Sequence, residues 1–519
     1  MRAQKVAISA STNRRLDAQA MTQAPDGSLM RRAAWAVGVS SASILGGVRG
    51  RVTGSRVVIA VGSGDNGGDG LYAGVYLVRR GARVDAVLMS DRWHESGAEA
   101  FVEAGGRLSH IDDLAGACEL VERADLLIDA IAGVGGRGPL RPAASTLFGQ
   151  ANSSGIPVLS IDVPTGVDSD TGSVSEGSEP AAVVAVRTVV MGALKPGLLL
   201  GAGRSYAGAI EVIDLGLDLD SLPADEVLVH VDDGFAGSHL ARPTSSDDKY
   251  SRGVVGLSTG SAKYPGAAVL SAGGARTGLA GFVRYCAPAD TEVIRAWPDV
   301  VATSGRIADA GRVQCWVVGS GRGTDEFARA ALEDCIATDV PLVLDADALT
   351  LLANDDQLRA AVVARTSVTV LTPHAGEFAR LAGRPLDIDQ RSAVRELAAR
   401  FNSVVLLKGS ATLVGGSSGE MYVATSAPPE LATAGSGDVL AGFLGSLLAH
   451  AAAHGPVSDR DAALLAGVAA HTHGLAGALA TTGGRTITAV ELLSALPVAL
   501  GQLRRLDDMT GTVPYRVTR

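Results

Sequence analysis

Short apolar runs that end in Gly or Asp recur along the whole chain, each followed by an amphipathic stretch. This alternation restricts the fold more than any other feature, because it is the pattern of buried parallel strands joined by helices. In the first half, RVVIAVG (56–62) reads as a strand, LYAGVYLVRRG (71–81) as a helix and RVDAVLM (83–89) as the next strand. DLLIDAI (125–131), PVLSIDVP (157–164) and GAIEVIDLG (208–216) continue the series. Between about 218 and 247 the pattern dissolves into acidic, Pro- and Ser-containing sequence, which predicts a domain boundary. The series restarts at GVVGLSTG (253–260) and runs through FVRYCAP, QCWVVGSG, PLVLDADAL, SVTVLTPH and SVVLLKG. Ala-, Gly- and Leu-rich helices follow from about Gly437, and the halves do not align as repeats.

A length of 519 residues allows two or more such domains, and 47% hydrophobic with 19% charged residues excludes a disordered polyelectrolyte. The net charge of −10 and the lack of a basic run argue against nucleic-acid binding, which needs a patch that displaces phosphate counterions. Any anionic ligand must then be met by a local pocket of backbone amides. Four scattered cysteines (Cys118, Cys286, Cys315, Cys335) form no CxxC pair and read as core residues in a reducing compartment. No signal-peptide core and no run near the ~18 apolar residues of a membrane span is evident, so a cytoplasmic, membrane-free protein is expected. The chain has only five lysines (Lys5, Lys195, Lys249, Lys263, Lys408), so a lysine inside a motif invites a functional question.

GSGDNGGDG (62–70) leaves a strand and enters a helix. Gly62, Gly64 and Gly67 satisfy GxGxxG and Asp85 follows at the distance of a ribose-binding acid, so a dinucleotide-binding motif is one reading. The acidic loop interior (Asp65, Asn66, Asp69) and the position of Asp85 inside its strand count against it. Asp129 and Asp162 end two other strands, and Thr165 follows in PTG. In an open parallel sheet these residues and Asn66 gather at the carboxyl edge, as a hard-oxygen set suited to an alkali or alkaline-earth cation. Each Asp alone could simply cap the next turn.

GSGDNGGDG, LLIDAIAGVGGRGPLR, LSIDVPTGVDSDTG and GALKPGLLLGAGR together resemble the NAD(P)H-hydrate epimerase family across nearly all of the first domain. The resemblance implies a Rossmann-like three-layer sandwich with K⁺ bound by Asn66, Asp129 and Thr165. It further implies substrate binding by Asp65, Asn66, Gly67, Gly68 and Asp69, and by Gly133, Val134, Gly135, Gly136, Arg137, Gly138 and Pro139. Asp162 would be the catalytic acid beside the nicotinamide. Thr165 replaces the usual Ser and Asp65 a frequent Asn.

TAGSGDVLAG (433–442) places small residues and Asp438 at a helix start, where unpaired amides and the helix dipole suit an anion. There Asp438 can take a proton from a hydroxyl that attacks phosphorus. No GK[ST] follows, so this is not a Walker A loop. Lys408, at the end of the strand LLKG, could meet nucleotide phosphates, and Glu377 in TPHAGEF could orient Mg²⁺ through water. His471 and His473 read as structural residues.

With DDKYSRGVVGLSTGSAKYPGAAVLSA (247–272) and VVGSGRGTDEF (317–327), these motifs resemble the ADP- or ATP-dependent NAD(P)H-hydrate dehydratases, a branch of the ribokinase-like fold. By that match Ala267, Gly323, His374 and Asp438 would contact the hydrated dinucleotide. Lys408, Gly409, Ser410, Ala411, Thr412 and Gly437 would hold the phosphates of ADP or ATP, which arrives with Mg²⁺. The implied organisation is an α/β epimerase domain (1–222), a linker (223–245) and a ribokinase-like dehydratase domain (246–519), in a homo-oligomer by family habit. The rivals are a small-molecule kinase and a chain whose first domain only mediates interactions.

Overall fold

The computed structural model describes residues 5–25, 27–136, 138–175 and 180–510. Contacts divide the chain into two units, Met1–Leu228 and Val229–Arg519.

In the first unit, β1 (Val6–Ile8) bridges to Leu194. A parallel sheet follows, built from β2 (Arg56–Val61), β3 (Arg83–Leu88), β4 (Arg107–His110), β5 (Leu126–Ala130), β6 (Val158–Ile161), β7 (Arg187–Met191) and β8 (Ala209–Ile213). Its order is β4-β3-β2-β5-β6-β7-β8. This is the doubly wound order of Rossmann-like folds, whose direction reverses between β2 and β5, where such sheets open a crevice. β2 shows why both faces are covered. Val57, Ile59 and Val61 face a core shared with Val37, Leu71 and Phe101, whereas Val58 and Ala60 face Val121, Leu147 and Phe148 on the other side. The result is the three-layer sandwich expected.

The helix expected over 71–81 starts earlier, at Asp65–Arg79. The glycines that obscure it in the sequence are there for backbone packing: a Cβ on Gly67 would lie 2.2 Å from the Gly62 carbonyl oxygen.

The segment 223–245 is not a plain linker. It holds β9 (Val227–His230) and the helix Asp233–Ser238, and β9 pairs in parallel with a strand of the second unit, Tyr422 beside Val229.

The second unit contains the parallel strands β10 (Val254–Ser258), β11 (Phe282–Cys286), β12 (Val301–Thr303), β13 (Cys315–Val318), β14 (Leu342–Leu344), β15 (Thr369–Leu371) and β16 (Val404–Leu407). β17 (Thr412–Gly415) and β18 (Met421–Ala424) add antiparallel edges. The order runs β9-β18-β17-β16-β15-β14-β13-β10-β11-β12.

Two helices, Ser436–His454 and Asp459–Ala480, have mean hydropathy 1.2 and 1.3 and meet the length and composition of a bilayer span. This corrects the expectation that no such run exists. Their apolar windows are 61% and 72% buried, which is the signature of core helices. The first lies so close to the sheet that a Cβ on Gly445 would meet Val317 at 2.2 Å.

Candidate functional site

In the first unit the residues singled out from the sequence converge at the carboxyl ends of β2, β5, β6 and β7. Asp129 is fully buried near the end of β5 and accepts four hydrogen bonds. They come from the Thr165 hydroxyl (2.7 Å) and amide (2.9 Å), the Ser160 hydroxyl (3.0 Å) and the Ile131 amide (3.3 Å). Burial raises the affinity of this carboxyl for a proton, and those four donors oppose the rise. Asn66 donates to the Ile161 carbonyl (2.9 Å), and its side-chain oxygen lies against the α-carbon of Gly133.

Asp162 follows β6 with φ +68, a left-handed conformation that costs a non-glycine residue about 1–3 kcal/mol. Its carboxylate holds the conformation in place. It accepts from the Val134 amide at 3.0 Å and the Met191 amide at 3.2 Å, and pairs with Lys195 at 2.7 Å. Asp162 thereby ties the loop after β5 to the end of β7. Asp65 is exposed, Gly67, Gly68 and Asp69 are buried, and Gly138 and Pro139 lie exposed at the far end of the second loop. Arg137 lies outside the described residues. Asp85, the acid that a dinucleotide fingerprint would require, takes two hydrogen bonds from Arg107 on the neighbouring strand.

In the second unit four adjacent strand ends meet through side chains. Asp345, after β14, accepts from Ser320 after β13 (2.9 Å), from Thr372 after β15 (2.7 Å) and from Lys408 after β16 (2.7 Å). Asp438 stands at the start of the helix Ser436–His454, and the neighbouring Gly437 would place a Cβ 3.5 Å from the Lys408 ammonium. Burial, then the charges of Asp345 and Asp347, push the Asp438 carboxyl up to about 7, against the Ser320 hydrogen bond and Lys408. Burial works against the Lys408 ammonium, yet Asp345 and Glu377 outweigh it and hold its proton affinity above the ordinary value.

The other expected contacts lie around this centre. Ala267 is adjacent to Gly321, the Gly323 amide donates to Asp347 at 2.8 Å, and His374 is an exposed helix N-cap. Gly409 and Ser410 are exposed, while Ala411 and Thr412 are buried at the start of β17. The Glu377 carboxylate is committed to the capping box with the His374 amide (2.9 Å) and lies 3.8 Å from Lys408. His473 donates from Nε2 to the Ser436 carbonyl, and burial lowers its proton affinity to about 4, in keeping with a structural role. His471 meets Asp233 at 2.7 Å.

Residues 26–197 match the family described as YjeF-related protein N-terminus, and residues 255–497 match NAD(P)H-hydrate dehydratase. The chain is 44% identical over 447 residues to the bifunctional NAD(P)H-hydrate repair enzyme Nnr of Mycobacterium tuberculosis (strain ATCC 25618 / H37Rv), covering 85% of this chain and 88% of that protein. It belongs to the bifunctional NAD(P)H-hydrate repair enzyme family. The Nnr of Corynebacterium glutamicum is 34% identical over 489 residues, 82% of this chain and 84% of that one. Among solved structures, the ADP/ATP-dependent NAD(P)H-hydrate dehydratase of Bacillus subtilis, co-crystallised with ATP/Mg²⁺, covers 52% of this chain and 97% of its own (23% identity, TM-score 0.44).

Three side chains of this repair-enzyme chain escaped the sequence reading. Lys195 was visible as one of five lysines, inside GALKPG, but nothing local reveals its partner Asp162. Asp345, in LDADAL, reads only as a strand end. Asp17 lies on the helix Ala10–Gln23, where Asn13 donates to it at 2.5 Å. Burial pushes the Asp17 carboxyl up to about 6, with Lys195 opposing and Asp162 and Asp65 adding to the rise, so this helix belongs to the first site.

Proposed function

We propose that the first unit epimerises the hydroxyl-bearing C6 of hydrated NADH or NADPH, and that the second dehydrates the S form with ADP or ATP. The observation that carries this reading is the pair of carboxylates, Asp162 and Asp438, each at the carboxyl edge of its own sheet, in a chain of this family.

In the first unit, Asp162 is the group that moves the C6 hydroxyl proton as the C–O bond opens and recloses. Lys195 fixes it, and the helix start Asp65–Asp69 and the segment after β5, Gly133–Gly136 with Gly138 and Pro139, would contact the substrate. Asn66, Asp129 and Thr165 fit a potassium ion. Their donors are hard oxygens, and the buried Asp129 carboxylate has four hydrogen-bond donors but no ion-pairing cation among the described residues. Bound there, K⁺ would neutralise that charge and order the surrounding loops.

In the second unit, Asp438 takes the C6 hydroxyl proton while that oxygen attacks the terminal phosphorus of the nucleotide, whose phosphates lie against Lys408 to Thr412 and the Gly437 amide. The C6–O bond then breaks with phosphate as leaving group, C5 loses a proton, and the C5=C6 bond of the dihydropyridine is restored. Mg²⁺ enters as part of the nucleotide substrate. The nucleotide pools that this reading requires place the protein in the cytoplasm.

The test is incubation of both hydrate epimers with Mg²⁺ and ADP or ATP, followed by separation of products. Complete return of both epimers to NAD(P)H, with one phosphate released per turnover, is expected. A stable phosphorylated product would instead identify a kinase, and turnover of the S epimer alone would remove the epimerase half.

A further inference from the structure

Asp345 has the marks of a residue held for a purpose. It is buried to 2% exposure, yet it is surrounded by side chains from three other strand ends: Ser320, Thr372 and Lys408. The next residue, Ala346, has φ 49 and ψ −109, which an L-residue adopts only when its neighbours dictate it. Asp345 on one side and Asp347, bonded to the Gly323 amide, on the other supply that constraint. The backbone is also crowded, since a Cβ on Gly319 would sit 2.0 Å from the Asp345 carbonyl oxygen. A carboxylate needed only to stitch strands would not require a strained backbone beside it.

We propose that Asp345 is a positioning residue of the dehydratase site: buried and held by the Ser320 and Thr372 hydroxyls, it fixes the Lys408 ammonium in the phosphate cleft. This rests on the dehydratase reading for the identity of the substrate, but its geometry stands on the residues alone. Lys408 has two carboxylates in reach, Asp345 at 2.7 Å and Glu377 at 3.8 Å, and the closer one fixes it. Ser320 has one proton to give. It donates to Asp345 in this structure, and its nearness lowers the proton affinity of Asp438.

The charged and titratable groups around Asp438 are Asp345 and Asp347 from the segment after β14, and Lys408 from the end of β16. Glu377, at the start of the helix Ala375–Ala382, and His473, from the helix Asp459–Ala480, act on the same lysine, and His374 pairs with Glu377 at 3.5 Å. Of these, Asp345 is the largest charge acting on Asp438, and it disfavours the ionised base. Removing its charge must therefore ionise Asp438 at lower pH.

The closing experiment uses the full chain with ¹⁵N-lysine, in which five lysines give five Nζ signals. In Asp345→Asn the Lys408 signal should shift and its deprotonation midpoint fall by about one pH unit, with the other four unmoved. In the same variant the acidic limb of the pH profile of kcat/KM for dehydration should move down by about half a unit or more, and kcat should fall about tenfold. Asp345→Glu, which keeps the charge, should hold the limb at its wild-type position. Ser320→Ala leaves the Asp345–Lys408 pair in place and should move the limb upward, the opposite direction, which keeps the idea testable should Asp345→Asn fold poorly. An unmoved Lys408 signal, or limbs that coincide in all variants, would overturn the proposal. Absence of wild-type hydrate turnover would overturn the functional reading instead, and the lysine spectra would still decide the geometry.

Discussion

Lys195 and Asp162 form a 2.7 Å ion pair in which the lysine side chain is wholly buried, its remaining protons given to the Met191 (2.7 Å) and Ala193 (2.9 Å) carbonyls. All three ammonium protons are satisfied, so the pair acts as a fixed strut between the ends of β6 and β7. Removing one partner of a buried pair leaves the other uncompensated and costs about 3–5 kcal/mol. Lys195→Met should therefore lower the urea midpoint of the first unit and abolish R-to-S conversion, while the second unit still dehydrates the S epimer. An unchanged midpoint and R-to-S rate would show the pair to be idle.

The second carboxylate predicts a pH profile. Asp438 works as a base only when ionised, and its carboxyl is pushed up to about 7. Dehydration should accordingly rise with pH between 6 and 8 with a midpoint near about 7, and Asp438→Asn should lower kcat by about 10²-fold or more while epimerisation persists. Stopped assays that follow return of NAD(P)H absorbance across this range check both points. A flat profile in the wild type would remove Asp438 from the proton transfer.

Most of the central strands, their parallel character and the two carboxyl edges were legible because apolar runs ending in Gly or Asp are local features. The pairings across those edges were not. Asp345 meets side chains 25, 27 and 63 residues away, and no periodicity encodes such distances. Strand β7 and the helix Ala10–Gln23 were passed over, the first inside mixed sequence and the second in a polar N-terminus, so Asp17 went unnoticed. β9 was hidden in the same way, as four residues of strand in an acidic stretch that composition marks as a linker.

Asp17 predicts a pH dependence of stability. Its carboxyl stands at about 6 in the folded chain against 3.8 for the free group, so the folded state binds the proton more tightly. That contribution is fully present below 3.8 and is lost as pH rises through about 6. Asp17→Asn, which carries no charge to bury, should raise the Tm of the first unit by a few degrees at pH 8 and leave it unchanged at pH 4. A scan showing the same difference at both pH values would assign the effect to packing.

Asp129 separates a cation site from a structural carboxylate. Its buried charge meets hydroxyls and amides but no cation among the described residues, Thr165 adds a neutral oxygen beside it, and Asn66 stands at the same sheet edge, bonded to the Ile161 carbonyl. A ligand that binds only the folded state stabilises it by RT ln(1 + [L]/Kd), about 2.7 kcal/mol at a hundred times Kd. At constant ionic strength, KCl should therefore raise the Tm of the first unit above its value in NaCl, because neutral amide and hydroxyl oxygens replace the weaker hydration shell of K⁺ at smaller cost than that of Na⁺. Asp129→Asn removes the charge but not the shape, and should erase the difference between the salts whatever it does to the baseline. Equal melting temperatures of the wild type in both salts would leave Asp129 as a hydrogen-bonded anchor for Thr165, with the stability of its buried charge resting on those four donors alone.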